Sequence, residues 1–153
     1  WKEHAIGALG SQVMFADIAE LNGDGLSDVV VAVKPVDVML FLRQKDGTWR
    51  QQTLHLPPDN LGDAKAVKAG DLNADGLTDI IFTCENAKDN LEGIVWLEQQ
   101  KNAAWKQHPL GGPEGLKFDL MQLQDLDKDG DLDVMTCEER DQLGVVWYEN
   151  PSR

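Results

Sequence analysis

Short apolar runs recur along this chain, each closed off by polar, glycine-containing stretches, and none shows the spacing of an amphipathic helix. The runs fall into three sets. Members of the first follow an acidic stretch: ELNGDGLSDVVVAV from Glu20, DLNADGLTDIIFTC from Asp71 and DLDKDGDLDVMTCE from Asp125. The second set is VMLFL, GIVWL and GVVWY, which places Phe41, Trp96 and Trp147 in register. Each member of the third opens on a tryptophan: WKEHAI, WRQQTL and WKQHPL, at Trp1, Trp49 and Trp105. Successive copies lie about 50 residues apart, a period that marks repeat architectures. The compact β-branched and aromatic run at 79–84 suits a strand covered on both faces.

In the second repeat, strands are expected at 64–70, 79–84, 93–98 and 105–110, with a polar turn between the last two. The sequence KDG ending at Gly47 marks the same hairpin in the first repeat. Four short strands in each repeat predict an all-β fold, a β-propeller built of four-stranded antiparallel blades, with three blades in this chain. Residues 1–153 then form a single propeller segment, with strand four of a split blade at 1–10 and repeats at approximately 11–56, 62–111 and 116–153. The chain opens on a fourth strand (1–9) and closes after a third (144–150), so its ends are complementary parts of one blade. Three blades are too few for an ordinary ring. The expectation is either a homodimer that closes a six-bladed ring or the rest of a longer propeller.

The acidic stretches follow D-x-[DN]-x-D-G-x-x-D, and this pattern carries the chemistry. Calcium takes 6–8 oxygen ligands, a mixture of carboxylates, carbonyls and water. Alternate side chains at positions 1, 3 and 5 converge on one point, and glycine at position 6 turns the backbone sharply. Position 7 offers a carbonyl, and the carboxylate at position 9 closes the site. Loop one supplies Glu20, Asn22, Asp24, the carbonyl of Leu26, and Asp28. Loop two supplies Asp71, Asn73, Asp75, the carbonyl of Leu77, and Asp79. Loop three supplies Asp125, Asp127, Asp129, the carbonyl of Asp131, and Asp133. Zinc and copper recruit His or Cys, and the loops contain neither. An EF-hand needs Glu at position 12, where this chain has Val31, Phe82 and Thr136. Three structural Ca²⁺ sites are therefore expected.

These loops, each followed by a short apolar strand, resemble FG-GAP/VCBS repeats, the blades of integrin α-subunit propellers and of many secreted bacterial proteins. The resemblance covers essentially the whole chain. It implies that each calcium loop joins strands one and two of its blade, on the face opposite the usual ligand surface. Glu20 departs from the pattern, because its longer side chain stands where the family has Asp.

The net charge of −13, from 27 acidic and 14 basic residues, argues against nucleic acid as a partner. Most of that excess sits in the three loops. A hydrophobic content of 42% fits a globular chain rather than a disordered one. No apolar run approaches the ~20 residues of a membrane span. The first residue is Trp1, not Met, as expected where a leader or a larger parent has been removed. Cys84 and Cys137 occur in matching tetrapeptides, TCEN and TCEE, and are expected to be reduced and buried. The periodic tryptophans are expected to pack between sheets rather than bind sugar. His4 and His108 align with Gln52 on the outer strand and read as surface residues.

Loops on the face opposite the calcium differ among the repeats and are the expected seat of specificity. Their candidate ligand-binding residues are Asp37, Glu85, Asp89, Glu138 and Arg140. The expected function is a non-catalytic, extracellular or periplasmic interaction module that is stabilised by calcium and binds a protein or carbohydrate ligand. The alternative is part of a propeller enzyme acting on polysaccharide or sugar, such as a lyase.

Overall fold

The computed structural model describes residues 1–111 and 114–151. Residues 152–153, the end of the third expected repeat, lie outside them. The described residues contain strands, turns and extended segments, and no helix. Sheet one holds β1 (Val13–Ala19), β2 (Asp28–Val33), β3 (Asp37–Arg43) and β4 (Trp49–His55), paired in chain order. Sheet two holds β5 (Asp63–Gly70), β6 (Asp79–Glu85), β7 (Ile94–Gln99) and β8 (Trp105–Pro109) in the same order. Sheet three holds β9 (Phe118–Gln124), β10 (Asp133–Glu138) and β11 (Gly144–Tyr148). All pairings within the sheets are antiparallel. Each pairing of first and second strands slips register near the same end, a bulge that sharpens the twist.

The sheets pack face to face in chain order, with β1 against β5 and β5 against β9. The two-residue period of a strand sets what faces what. Ile80, Phe82 and Cys84 on β6 point toward sheet one, where they meet Val30, Val38 and Leu40. Ile81 points the other way and packs with Phe118, Met121 and Val134 of sheet three. Thr83 lies on that same side and donates its hydroxyl to the Asp119 carbonyl at 3.0 Å. Central sheet two is therefore covered on both faces, and full burial of Phe82 contributes roughly 2–3 kcal/mol. The arrangement is that of propeller-like blades stacked side by side.

Several sequence expectations shift by one residue or one face. Counted from the aspartate that opens β2, β6 and β10, Trp96 and Trp147 share a register, but Leu40 is their counterpart. Phe41 matches Leu97 and Tyr148 instead, since Val29, Ile80 and Val134 pair with Phe41, Leu97 and Tyr148. A slip of one residue turns a side chain to the other face. Phe41 accordingly lies on the outward face of sheet one, with Val31 and Val33. The two cysteines are offset in the same way. Cys84 is buried and Cys137 exposed, because Glu138, not Cys137, occupies the place of Cys84.

Residues 1–9, expected as a fourth strand, form no strand. Sheet one already has β4 as its fourth strand, and the segment has no third strand beside it. It lies instead on the outward face of sheet one, where Ala8 packs against Val31, Val33 and Phe41. The Phe41 ring there leaves no room for a Cβ on Gly7.

Candidate metal loops

The three acidic loops lead into β2, β6 and β10, at the same end of their sheets, and they share one conformation. Position 4 is left-handed in each, at Gly23 (φ 77°), Ala74 (φ 57°) and Lys128 (φ 67°). Position 6 is left-handed as well, at Gly25, Gly76 and Gly130. Holding Ala74 and Lys128 there costs of order 1 kcal/mol each, so the surrounding contacts must fix the turn.

Those contacts repeat. The side-chain oxygen at position 3 accepts the backbone N–H of position 5, from Asn22 to Asp24 (3.0 Å), Asn73 to Asp75 (3.1 Å) and Asp127 to Asp129 (3.2 Å). The position-5 carboxylate accepts the N–H of position 7 in the same fashion: Leu26 donates to Asp24, Leu77 to Asp75 and Asp131 to Asp129. Position 1 differs among the loops. Glu20 accepts N–H groups from Asn22 and Gly23, and Asp71 accepts them from Asp75 and Gly76. In loop three, Asp125 Oδ1 is buried and accepts no hydrogen bond from the described residues. There the carboxylates of Asp125, Asp127 and Asp129 bring ligand oxygens within 4.8 Å of one another. A buried carboxylate oxygen without a donor, beside two further carboxylates, is a donor set that fits a hard divalent cation. Asp131, whose carbonyl was expected to serve at position 7, is itself buried.

The ninth position has a role that the sequence pattern did not reveal. Asp28, Asp79 and Asp133 are almost wholly buried. One oxygen of each accepts the N–H of loop position 2: Leu21 (3.0 Å), Leu72 (3.2 Å) and Leu126 (3.0 Å). The other accepts the N–H at the end of the third strand: Arg43 (2.7 Å), Gln99 (2.8 Å) and Asn150 (2.9 Å). These aspartates tie the loop to the sheet whether or not they also reach an ion. Burial pushes the Asp79 carboxyl above its usual range, and the Gln99 and Leu72 N–H groups offset this only in part. At Asp133 burial acts in the same direction, but the N–H groups of Asn150 and Leu126 and the Trp147 indole outweigh it, and the carboxyl sits low. Sheet two is covered on both faces and sheet three on one, which accounts for the difference.

Gln99 and Asn150 were also missed, and both join adjacent sheets. Gln99 Nε2 donates to the Leu21 carbonyl at 3.1 Å, and Asn150 Nδ2 donates to the Leu72 carbonyl at 2.8 Å. The available signal was positional, since Gln99 closes the third strand of its repeat and Asn150 lies just beyond the third strand of its own. Thr78 adds a second link by donating its hydroxyl to the Glu20 carbonyl at 2.7 Å.

Residues 21–82, running from loop one through loop two into β6, match the family model of the FG-GAP-like repeat. This stretch is similar to an FG-GAP-like repeat. No curated protein matches the chain. The matched FG-GAP-like unit includes most of loop one and all of loop two, together with the strands between them.

The proposed ligand residues lie at the other ends of the strands, and most are engaged within the protein. Asp37 Oδ1 sits 3.0 Å from His55 Nδ1. Glu85 accepts Lys34 and Lys65, of which Lys34 does most to hold its carboxyl low. Lys65 also pairs with Asp119 at 3.3 Å. Arg140 Nη1 donates to Asn86 Oδ1 at 3.2 Å, whereas Asp89 is exposed at the tip of a turn. Glu138 requires correction as a ligand contact. It is 2% exposed, and its carboxylate accepts the backbone N–H groups of Leu116, Lys117, Arg140, Asp141 and Leu143. It holds the β10–β11 turn against the segment entering β9. His108 is likewise no free surface residue. Its ring stacks on Trp96 at 4.5 Å between centroids, and Nε2 lies 2.7 Å from Glu98.

Proposed function

We propose that this chain is a calcium-stabilised β-propeller module that binds a protein or glycan through the loop face opposite its acidic loops, without catalysing a reaction. The observation that carries the reading is loop three, where three carboxylates converge and one buried oxygen, Asp125 Oδ1, has no hydrogen-bond donor among the described residues. Repulsion among these carboxylates opposes folding when they stand close together and ionised. Calcium, when bound, supplies the neutralising charge, so its binding free energy adds to folding. Asp125, Asp127 and Asp129 would hold the ion in loop three, with Glu20, Asn22 and Asp24 in loop one and Asp71, Asn73 and Asp75 in loop two. Extracellular calcium modules work at about 0.1–1 mM, which suits a secreted or periplasmic location.

On the opposite face, Lys88, Asp89, Glu139 and Arg140 are exposed on two neighbouring turns. They vary between the repeats, and they stand over an interior held by the Glu85 and Glu138 interactions. A rigid base under variable exposed turns is the construction of a recognition surface. Calorimetric titration of metal-stripped protein tests the metal reading: up to three calcium ions should bind, and Asp127→Ala should lose one. A chain that takes up no calcium sinks it. A glycan array probed with calcium present, and again with chelator, tests the ligand class.

A further inference from the structure

Sheets one and two, each with four strands, leave a cleft of about 300 Å³ between their outer strands at the acidic-loop end. That volume is at the lower end of small-molecule sites. The lining follows from strand register. Gln52 pairs with Leu40 and Arg50 with Leu42, so all four side chains share the face of sheet one that looks toward sheet two. Leu40 and Leu42 are buried and form the floor. Trp105 packs against the same core from sheet two, and the part of it that stays accessible forms a facing wall. The acidic loops at 20–23 and 76–78 and the β7–β8 turn bound the cleft, so it suits a single ring better than an extended chain.

The charge of this cleft is opposite to that of the chain. The net charge is −13, yet the side chains that border the cleft include two cations, Arg50 and Lys101, and a single carboxylate, Glu20. Glu20 is turned onto the N–H groups of Asn22 and Gly23 in its own loop. The side chains of Arg50 and Lys101 are exposed and make no ion pair or hydrogen bond with the described residues. Lys34, Lys65, Lys68, Lys106 and Lys117, by contrast, each have a carboxylate partner. Gln52 is half-buried, and its side-chain amide also has no partner among the described residues.

We propose that this cleft binds a hexuronic acid residue of an acidic glycan. Each part of such a ring finds a matching group. Its C–H bonds pack on Trp105, an aromatic side chain with a large apolar surface. Its hydroxyls exchange hydrogen bonds with the Gln52 amide, which offers both donors and an acceptor. Its carboxylate meets Arg50, which can bind it through two parallel N–H bonds, with Lys101 adding a point charge. A neutral sugar would leave both cations unused, and an extended acidic peptide would find no continuous groove. The cleft lies at the other end of the sheets from Lys88, Asp89, Glu139 and Arg140. It is therefore separate from the recognition surface proposed above, and it rests on neither that reading nor the calcium one.

The test is proton–nitrogen correlation NMR of the full chain, titrated in one buffer with methyl galacturonide, methyl glucuronide and the corresponding neutral methyl galactoside and methyl glucoside. The signals of the Gln52 side-chain amide and the Trp105 indole should move with at least one uronide, and the one that moves them names the sugar. The neutral glycosides should bind at least about tenfold more weakly. Arg50→Gln combined with Lys101→Gln removes no contact within the fold, so it should leave the rest of the spectrum in place and weaken the uronide at least about tenfold. No movement at Gln52 and Trp105 with either uronide would overturn the inference. So would equal binding of the neutral glycosides, or binding indifferent to the double substitution. A glutamate-rich peptide that moves the same signals at lower concentration than both uronides would overturn it as well, and make the ligand a protein.

Discussion

Replacing Glu138 should destabilise the fold more than any exposed acidic residue would. Its carboxylate is the shared acceptor for five backbone N–H groups, with the shortest contacts at 2.9 Å to Arg140 and Asp141. A hydrogen bond to a charged group contributes about 1.5–3 kcal/mol, and a buried donor left unmet costs about 1–3 kcal/mol. Several of these donors can turn to water once released, so the loss is worth about two bonds rather than five. Glu138→Ala should therefore cost about 3–5 kcal/mol, a large part of the 5–15 kcal/mol typical of a domain. Glu138→Gln keeps the shape but faces N–H groups with an amide NH₂, and it should fall between the wild type and Ala. Urea unfolding followed by circular dichroism measures the difference, with an unchanged slope as the control.

The acid dependence of Glu138 follows from the same contacts. Burial pushes its carboxyl up, but the N–H groups of Asp141, Arg140, Lys117 and Leu143 outweigh this and hold it below the usual glutamate range. A carboxyl lowered by folding contributes stability that is complete above its unfolded pKa and lost as pH falls through the folded one. Glu138→Gln should accordingly flatten the acid limb of the stability curve while leaving the neutral side parallel. A cost below about 1 kcal/mol for Glu138→Ala would refute the reasoning and make the residue an ordinary surface acid.

Loop three should bind calcium more tightly than loop one, since Asp125, Asp127 and Asp129 converge while Glu20 is turned onto the N–H groups of its own loop. Calorimetry of Asp129→Ala and Asp24→Ala should show that the first removes the tighter site; the reverse order would make charge convergence the wrong guide. Asp79→Ala should cost about 2–4 kcal/mol in chelator as well as in calcium, because Leu72 and Gln99 lose their acceptor in either case. A loss seen only with calcium would reduce Asp79 to a metal ligand. A thiol reagent should modify Cys137 in the native chain and Cys84 only after unfolding, since burial both hides the Cys84 thiol and pushes its pKa up.

The repeats and strand positions were legible because both are local. A DxNxDG turn and a β-branched run fix a loop and the strand after it with little help from distant residues, and β6 fell where the pattern placed it. What failed was register. TCEN and TCEE match by eye, but Cys84 and Cys137 stand one residue apart when counted from Asp79 and Asp133, which in a strand means opposite faces. Phe41 was misplaced for the same reason. The double anchoring of Asp28, Asp79 and Asp133 was hidden because their partners Arg43, Gln99 and Asn150 lie 15 to 20 residues away. Residues 1–9 carry a strand sequence without a strand. A β-strand is defined by its neighbour, and the described residues place no strand beside this segment.

The calcium account is tested most directly by thermal unfolding of one preparation at fixed protein concentration, with excess calcium and then with chelator. An ion present at 100 times its dissociation constant stabilises the folded state by about 2.7 kcal/mol for each site that exists only there. For a chain of this size that corresponds to a rise in Tm of roughly 5–10 °C per occupied loop. Asp125→Asn combined with Asp127→Asn should remove the share due to loop three. The account predicts a clear rise with calcium that these substitutions reduce. An unchanged Tm would contradict it and leave the three loops as acidic turns held by their own hydrogen bonds.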